Sequence, residues 1–339
     1  MLLTREVNWM AVTTMKAAVL QPDRHLSIEE IPVPKPQPGE VLLKVKACGV
    51  CRTDLHIVDG DLPPRVNNIT PGHQIVGEVV EANGAGPPPG TRVGVSWLGG
   101  TDGTCSYCRA GKENLCDSPT YTGYSRPGGY AEYVTARSDF ISPLPESMED
   151  MHAAPLLCAG IIGYRSLRVA EIKPGQTVGL FGFGASAHLT LPVLLHWGCR
   201  VYVSTRGASH RKFAKELGAA WVGSEKESPP EPVDAAVTFA PSGDVVIAAL
   251  ASLRKGGIVA INAIHLDRIP SFDYDKLLWG ERQMRSVTNM TRTDAKDFLA
   301  LAAEINLRPQ ITKFSLERAN SALDAVRNDA VDGAAVIVP

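Results

Sequence analysis

Residues 177–196 read TVGLFGFGASAHLTLPVLLH. A short apolar run, Thr177–Phe181, passes without a spacer into Gly182-Phe-Gly184-Ala-Ser-Ala187, and the apolar pattern then takes a helical period over Ser186–His196. Strand, G-x-G-x-x-A turn and helix in that order are the context in which this fingerprint signals a dinucleotide site. Gly182 permits the tight turn, Gly184 lets the backbone approach a pyrophosphate, and Ala187 is small enough for close helix–strand packing. With Ala185 they are the cofactor-binding positions, the charge of the pyrophosphate being met by N–H groups at the helix start. A glycine turn that serves packing alone is the competing reading.

Outward from the turn the rhythm persists. Arg200–Ser204 is a second strand, Ser209–Leu217 a second helix ended by Gly218, and Ala235–Phe239 and Ile258–Ala263 repeat the strand pattern around a helix over Asp244–Leu253. Such alternation predicts a parallel sheet covered by helices with right-handed crossovers. Residues 223–232, GSEKESPPEP, are a surface loop. The second strand normally delivers an acid to the ribose hydroxyls. Here it ends Val203-Ser204-Thr205-Arg206-Gly207, with no Asp or Glu. An acid would repel a 2′-phosphate, whereas Arg206 can pair with it and Ser204 and Thr205 can hydrogen-bond to it. His210 and Arg211 add positive character, so NADP(H) is the expected cofactor, with NAD the alternative if Arg206 is only a solvated surface residue.

The first 150 residues read differently. Short apolar runs (Ala17–Leu20, Val41–Val45, Ile75–Val80, Arg92–Val95) are separated by Pro/Gly clusters, which predicts a small β-barrel or sandwich with long loops. Helices over Thr293–Asn306 and Leu316–Asn328 and a strand over Ala334–Val338 close the chain. The 339 residues suggest two domains. A net charge of −2 points to neither nucleic acid nor an anionic membrane surface. No apolar run reaches the roughly 20 residues that span a bilayer, and residues 1–14 lack the apolar core of a signal peptide. Seven cysteines, an odd number in a chain long enough to bury a large core, fit metal binding in a reducing cytoplasm better than a disulfide framework.

Ligand-type residues fall in three places: Cys51-Arg-Thr53-Asp54-Leu-His56, Pro71-Gly72-His73-Gln74 and Cys158-Ala-Gly160. Each is weak alone. Together Cys51, His73 and Cys158 make a Cys₂His set, the composition of a catalytic zinc with a fourth position open.

Taken in order, GVCRTDLH (49–56), PGHQIVGEVV (71–80), CSYCRAGKENLC (105–116), GGYAEY (128–133), CAGIIGYRSL (158–167) and GFGASAH (182–188) resemble the zinc-dependent medium-chain alcohol dehydrogenase family. The resemblance is collinear from about Lys16 to the C-terminus. It implies a GroES-like β-rich catalytic domain plus a Rossmann doubly wound parallel-sheet cofactor domain, an α/β protein. The expected boundaries are a tail over 1–14, a catalytic domain over 15–160 with a structural zinc lobe at about 99–118, a cofactor domain over 161–290, and a return to the catalytic domain over 291–339.

Carried over by position, the resemblance makes Cys51, His73 and Cys158 the catalytic zinc ligands and Asp54 the carboxylate that orients the ligating histidine. Thr53 becomes the hydroxyl that takes the substrate proton and His56 the outer end of the relay to solvent. Asp102, Cys105, Cys108 and Cys116 become the structural zinc ligands, with Asp102 where the family usually has a fourth cysteine. A three-cysteine lobe without metal, or a Cys105–Cys108 redox pair, is the alternative there. Trp97 stands where members place a large aromatic in the substrate pocket, with Tyr121 and Leu98 beside it, which favours slim primary alcohols and their aldehydes.

Two departures stand out. Gln74 replaces a frequent Glu close behind the zinc, and Gly333-Ala334-Ala335 occupies the place of an arginine that often helps the pyrophosphate. The resemblance further implies a cytoplasmic homo-oligomer, a dimer or tetramer, acting on small molecules. The rival functions are a non-catalytic cofactor-binding relative, a polyol dehydrogenase (against which Cys158 argues) and a zinc-free quinone reductase.

Overall fold

A computed structural model describes residues 13–331 and 333–339; most of the expected N-terminal tail, 1–12, lies outside the described residues. Two compact units result. One holds the described residues up to Asp102, Ser118–Leu157 and Ile311–Pro339; the other holds Gly103–Asp117 and Cys158–Gln310.

The first unit is built on a seven-stranded sheet. Its order is Ile311–Ser315, Ala334–Val338, Glu40–Val50, Gln74–Asn83, Arg92–Val95, Ile141–Pro143, and Tyr133–Arg137 also pairs with Glu40–Val50. Glu40–Val50 is buried along most of its length and alternates only over Leu43–Ala47, where Lys44 and Lys46 are the partly exposed positions. Its pairing with Gln74–Asn83 sets Gly49 opposite Gln74, so the residue after His73 is tied into the sheet. The core beneath gathers Leu43, Val45, Ile57, Ile75 and Tyr130, all nearly inaccessible to water.

Thr14 and Met15 already pair with Pro32 and Ile31, so the strand Thr14–Leu20 begins two residues before Lys16. The reason is the partner strand Leu26–Pro32, a polar-rich run whose ladder no local period announces. The helix expected over Leu316–Asn328 is divided into a 3-10 turn, Leu316–Arg318, and an α-helix, Ala319–Arg327.

The second unit is a six-stranded parallel sheet in the order Trp221–Gly223, Arg200–Ser204, Thr177–Phe181, Val233–Thr238, Leu253–Ile261, Gln283–Ser286. This is the doubly wound order, with the strand direction of progression reversing between Thr177–Phe181 and Val233–Thr238. Two strands escape a reading by apolar runs. Trp221–Gly223 has three residues, and Gln283–Ser286 is a polar edge. Helices follow the strands close to the expected places: Ala185–His196, Ala208–Glu216, Gly243–Ser252 and Arg292–Glu304. No described helix is long and apolar enough to cross a membrane.

Candidate functional site

The helix Arg52–Asp59 opens directly after Cys51, and Asp54 stands at its third position. Asp54 Oδ2 accepts a hydrogen bond from the backbone N–H of Cys51 at 2.9 Å, the reciprocal half of a capping box. The same carboxylate reaches across the unit. Its Oδ1 accepts from the N–H of Gly72 at 3.2 Å and meets His73 Nδ1 at 3.1 Å. Its Oδ2 also accepts from the hydroxyl of Tyr130 at 3.1 Å. Four donors thus hold a carboxylate that is completely buried, as a buried charge requires. Tyr130 belongs to the GGYAEY run, where nothing in the local sequence marks its hydroxyl as buried against Asp54.

Held through Nδ1, the His73 ring presents Nε2, which is buried with no hydrogen-bond partner. Cys51 Sγ, Cys158 Sγ and a His73 ring nitrogen lie within 4.8 Å of one another. Cys158 follows directly on Leu157, whose side chain is buried in the first unit against the strand Arg92–Val95 at Gly94. An unpartnered buried nitrogen facing two sulfurs is what a thiolate-preferring divalent ion would complete. The electrostatics agree. Burial pushes the His73 pKa down, but the negative charges of Asp54 and Cys51 outweigh it and raise it to about 10, so the position favours positive charge.

Thr53 is buried, with its hydroxyl 3.6 Å from Cys51 Sγ. His56 lies one turn further along the same helix face; its side chain is 30% exposed and its Nδ1 meets Asp61 Oδ2 at 3.1 Å. Trp97 approaches His73 edge-on at 5.0 Å and stacks on Tyr121 at 5.0 Å and Tyr124 at 5.8 Å. The tyrosine rings are 6.2 Å apart, so the three centroids close a compact triangle with both tyrosines on one side of the indole. Arg65 lies over Tyr124, 5.6 Å from its centroid. Leu98 is fully buried. Gln74 is buried as well, and its amide lies over Gly49, where a Cβ would come within 2.6 Å of Oε1.

The second candidate cluster is Asp102, Cys105, Cys108 and Cys116, whose ligand atoms also lie within 4.8 Å of one another. Cys105 Sγ receives the N–H of Cys108 at 3.5 Å, and this bond, followed by one from Asp117, holds its thiol below the usual range. The loop is anchored in its own unit. Glu113 takes the guanidinium of Arg292 on both carboxylate oxygens, at 3.0 and 2.6 Å on Oε2, and Asn114 donates to Thr288 O at 2.8 Å.

At the nucleotide turn, Gly182 adopts φ +92°, open to glycine at little cost, and a Cβ there would lie 3.0 Å from Ala240 N. Gly184 faces open space and is the N-cap of Ala185–His196, with no side chain capping the first N–H groups. Uncapped donors beside an open backbone fit the diphosphate of a nicotinamide dinucleotide. Ala187 is buried in the packing, as its size suggests. Ser204 Oγ donates to Ser224 O at 3.1 Å, and Thr205 is buried. Arg206 is exposed, and Arg211 Nη1 donates to the carbonyls of Thr205 at 3.0 Å and Arg206 at 2.6 Å, bracing that turn. Gly333 precedes the strand Ala334–Val338, whose Ala334 and Ala335 are buried in the first unit's sheet.

The family description "Alcohol dehydrogenase GroES-like domain" matches residues 37–146. The Mycobacterium tuberculosis (strain CDC 1551 / Oshkosh) protein named "Probable alcohol dehydrogenase AdhA" is 48% identical over 313 residues, covering 90% of each chain. Two solved structures superpose along nearly the whole chain. An acetophenone reductase of Geotrichum candidum in complex with NAD has a TM-score of 0.85 and 26% identity, covering 97% of this chain and 98% of that one. A Sinorhizobium meliloti 1021 protein described as "a putative zinc-binding dehydrogenase", bound to NADP, has a TM-score of 0.83 and 28% identity, covering 97% and 100%. An α/β chain with a GroES-like unit, a Rossmann unit and these relatives belongs to the zinc-type medium-chain alcohol dehydrogenase family, and is an alcohol dehydrogenase.

Proposed function

We propose that this alcohol dehydrogenase interconverts primary alcohols and aldehydes at a zinc held by Cys51, His73 and Cys158, and that it prefers NADP(H). The observation that carries the reading is the convergence of two sulfurs and a His73 ring nitrogen within 4.8 Å, with His73 Nε2 buried and unpartnered. When bound, zinc supplies Lewis-acid polarisation of a hydroxyl or carbonyl oxygen, and the nicotinamide supplies the hydride acceptor or donor.

The chain's own residues supply orientation and proton handling. Asp54 fixes the His73 ring through Nδ1, leaving Nε2 to the metal. Thr53 Oγ1, buried beside Cys51, takes the proton of the reacting hydroxyl. His56, half-exposed one turn along the helix, hands it to water, with Asp61 on Nδ1 keeping the ring oriented. Trp97, backed by Tyr121 and Tyr124, is a rigid wall beside His73, and its bulk favours unbranched substrates. Asp102, Cys105, Cys108 and Cys116 would hold a second, structural zinc, with the Asp102 carboxylate in place of a thiolate.

The preference for NADP(H) rests on Arg206. Solved relatives are bound to either cofactor, so resemblance does not decide the matter. No acid stands at the end of Arg200–Ser204 to repel a 2′-phosphate, and the exposed Arg206 follows on a turn braced by Arg211.

Metal analysis combined with substitution tests the central claim. The purified enzyme should contain about two zinc ions per chain. Cys51→Ser should lose one of them and all measurable alcohol oxidation while keeping cofactor binding. Turnover near wild type in Cys51→Ser would rule out the proposed catalytic metal.

A further inference from the structure

We infer that Tyr130 is a positioning residue of the zinc centre, acting through Asp54 to aim His73. The inference rests on the zinc reading above and adds a residue to it. Residues 128–130 form a strap laced onto residues 70–72. Gly128 N donates to Thr70 O at 2.7 Å, Gly129 N to Gly72 O at 2.8 Å, and Tyr130 N to Pro71 O at 3.0 Å. On its other side Tyr130 O accepts from Ala18 N at 2.8 Å, so the strap is clamped between two segments. His73 follows directly on the strapped residues.

Three glycines make room for the arrangement. Gly72 stands at φ +97°, and a Cβ on it would come 2.5 Å from the Tyr130 ring. A Cβ on Gly129 would come 2.5 Å from Ile75, and one on Gly128 would collide with the carbonyl oxygen of Gly72. Packing alone does not call for a hydroxyl at the far end of that ring, which is inaccessible to water. The hydroxyl ends 3.1 Å from Asp54 Oδ2.

What the bond accomplishes follows from how Asp54 is shared. Oδ2 is held by Cys51 N and Tyr130 OH; Oδ1 by Gly72 N and His73 Nδ1. The pair on Oδ2 fixes the rotation of the carboxylate and therefore the direction in which Oδ1 meets His73. Without the phenol, Oδ2 keeps a single donor, and a buried carboxylate short of a donor turns to recover one. The His73 ring would then lose the fixed orientation that presents Nε2 beside Cys51 and Cys158.

Zinc release to a metallochromic chelator, followed on the fully loaded enzyme, tests this. Tyr130→Phe keeps the ring and its packing, with folding checked by circular dichroism. It should release the ion that Cys51→Ser lacks roughly tenfold to a hundredfold faster than wild type, the range typical of lost outer partners of a ligating histidine. Release of the Asp102-lobe ion should be unchanged. Cobalt in place of zinc should show altered visible bands at the Cys51 site. In an Asp54→Asn background, adding Tyr130→Phe should change release by less than about twofold, because the two groups act as one unit. Wild-type release and spectrum in Tyr130→Phe, or independent effects that multiply, would overturn the assignment. If Cys51→Ser removes no ion, the zinc reading itself falls; if it removes one and Tyr130→Phe behaves as wild type, only the role of Tyr130 falls.

Discussion

Asp54 combines two duties usually divided between residues: it caps the helix that carries Thr53 and His56, and it orients His73. The capping half is local and readable, since an acid three places after a helix-opening residue is a known signature. The other half is a contact across 19 positions, which no spacing announces; the resemblance alone suggested it. Ser204 shows the reverse. Its position after the second strand suggested a free donor, but the hydroxyl is spent on Ser224 O, because the loop after Trp221–Gly223 lies against it. In the proposed reading, discrimination between cofactors then rests on Arg206. Arg206→Ala should raise KM for NADP by one to two orders of magnitude, the scale of a lost charge-assisted hydrogen bond of about 1.5–3 kcal/mol. KM for NAD should stay within about threefold. Initial rates with both cofactors check this, and equal effects would remove the stated reason for NADP.

Among the elements, those with a clean period were the legible ones. Thr177–Phe181, Arg200–Ser204, Arg92–Val95 and Ala334–Val338 have in the structure the bounds that their apolar runs suggest. The helix Ala185–His196 was visible as well, although Pro192 lies inside it. Within it stands His188, which the apolar period does not single out. Its ring is buried against Phe213 with Nε2 unpartnered, and burial lowers its pKa to about 4, partly opposed by contacts with the backbone of Gly184 and Ala185. The unfolded chain binds the proton near pH 6.5 and the folded chain only near 4, so His188 favours the folded state above pH 6.5 and this advantage disappears as pH falls through the window. At its fullest the loss is of order 3 kcal/mol. His188→Leu, which removes the titration, should flatten the decline. Urea midpoints of both proteins at pH 7 and pH 4.5 measure the difference, and parallel declines would exclude His188 as the source.

Over the whole molecule, the loop 103–117 shows how little of a chain's order is set by apolar packing alone. It offers few buried side chains; Glu113, Asn114 and Cys116 are its inaccessible residues. Its fixed points are the Glu113–Arg292 pair, the Asn114–Thr288 bond and the Asp102/Cys cluster. Cys116→Ser should therefore loosen this loop more than it slows catalysis. Limited proteolysis should cut within 103–117 on the order of tenfold faster, the effect of about 1.4 kcal/mol on a local opening equilibrium. kcat should stay within about threefold of wild type. An unchanged cleavage rate would deny the cluster a stabilising role.

The linear order of amino acids by itself determined the strand–turn–helix of the Rossmann unit, the glycines of its turn and the types of residue available to a metal. Each of these is written in neighbouring positions, through side-chain period and permitted backbone angles. Only the tertiary structure decided that Cys51, His73 and Cys158 converge, that Tyr130 supplies the fourth donor to Asp54, and that short polar strands such as Gln283–Ser286 join a sheet. Those outcomes depend on groups brought together from 22 positions apart (Cys51 and His73) to 107 (Cys51 and Cys158), loops whose closure entropy only a cooperative core can offset, and such closures leave no mark on the residues in between.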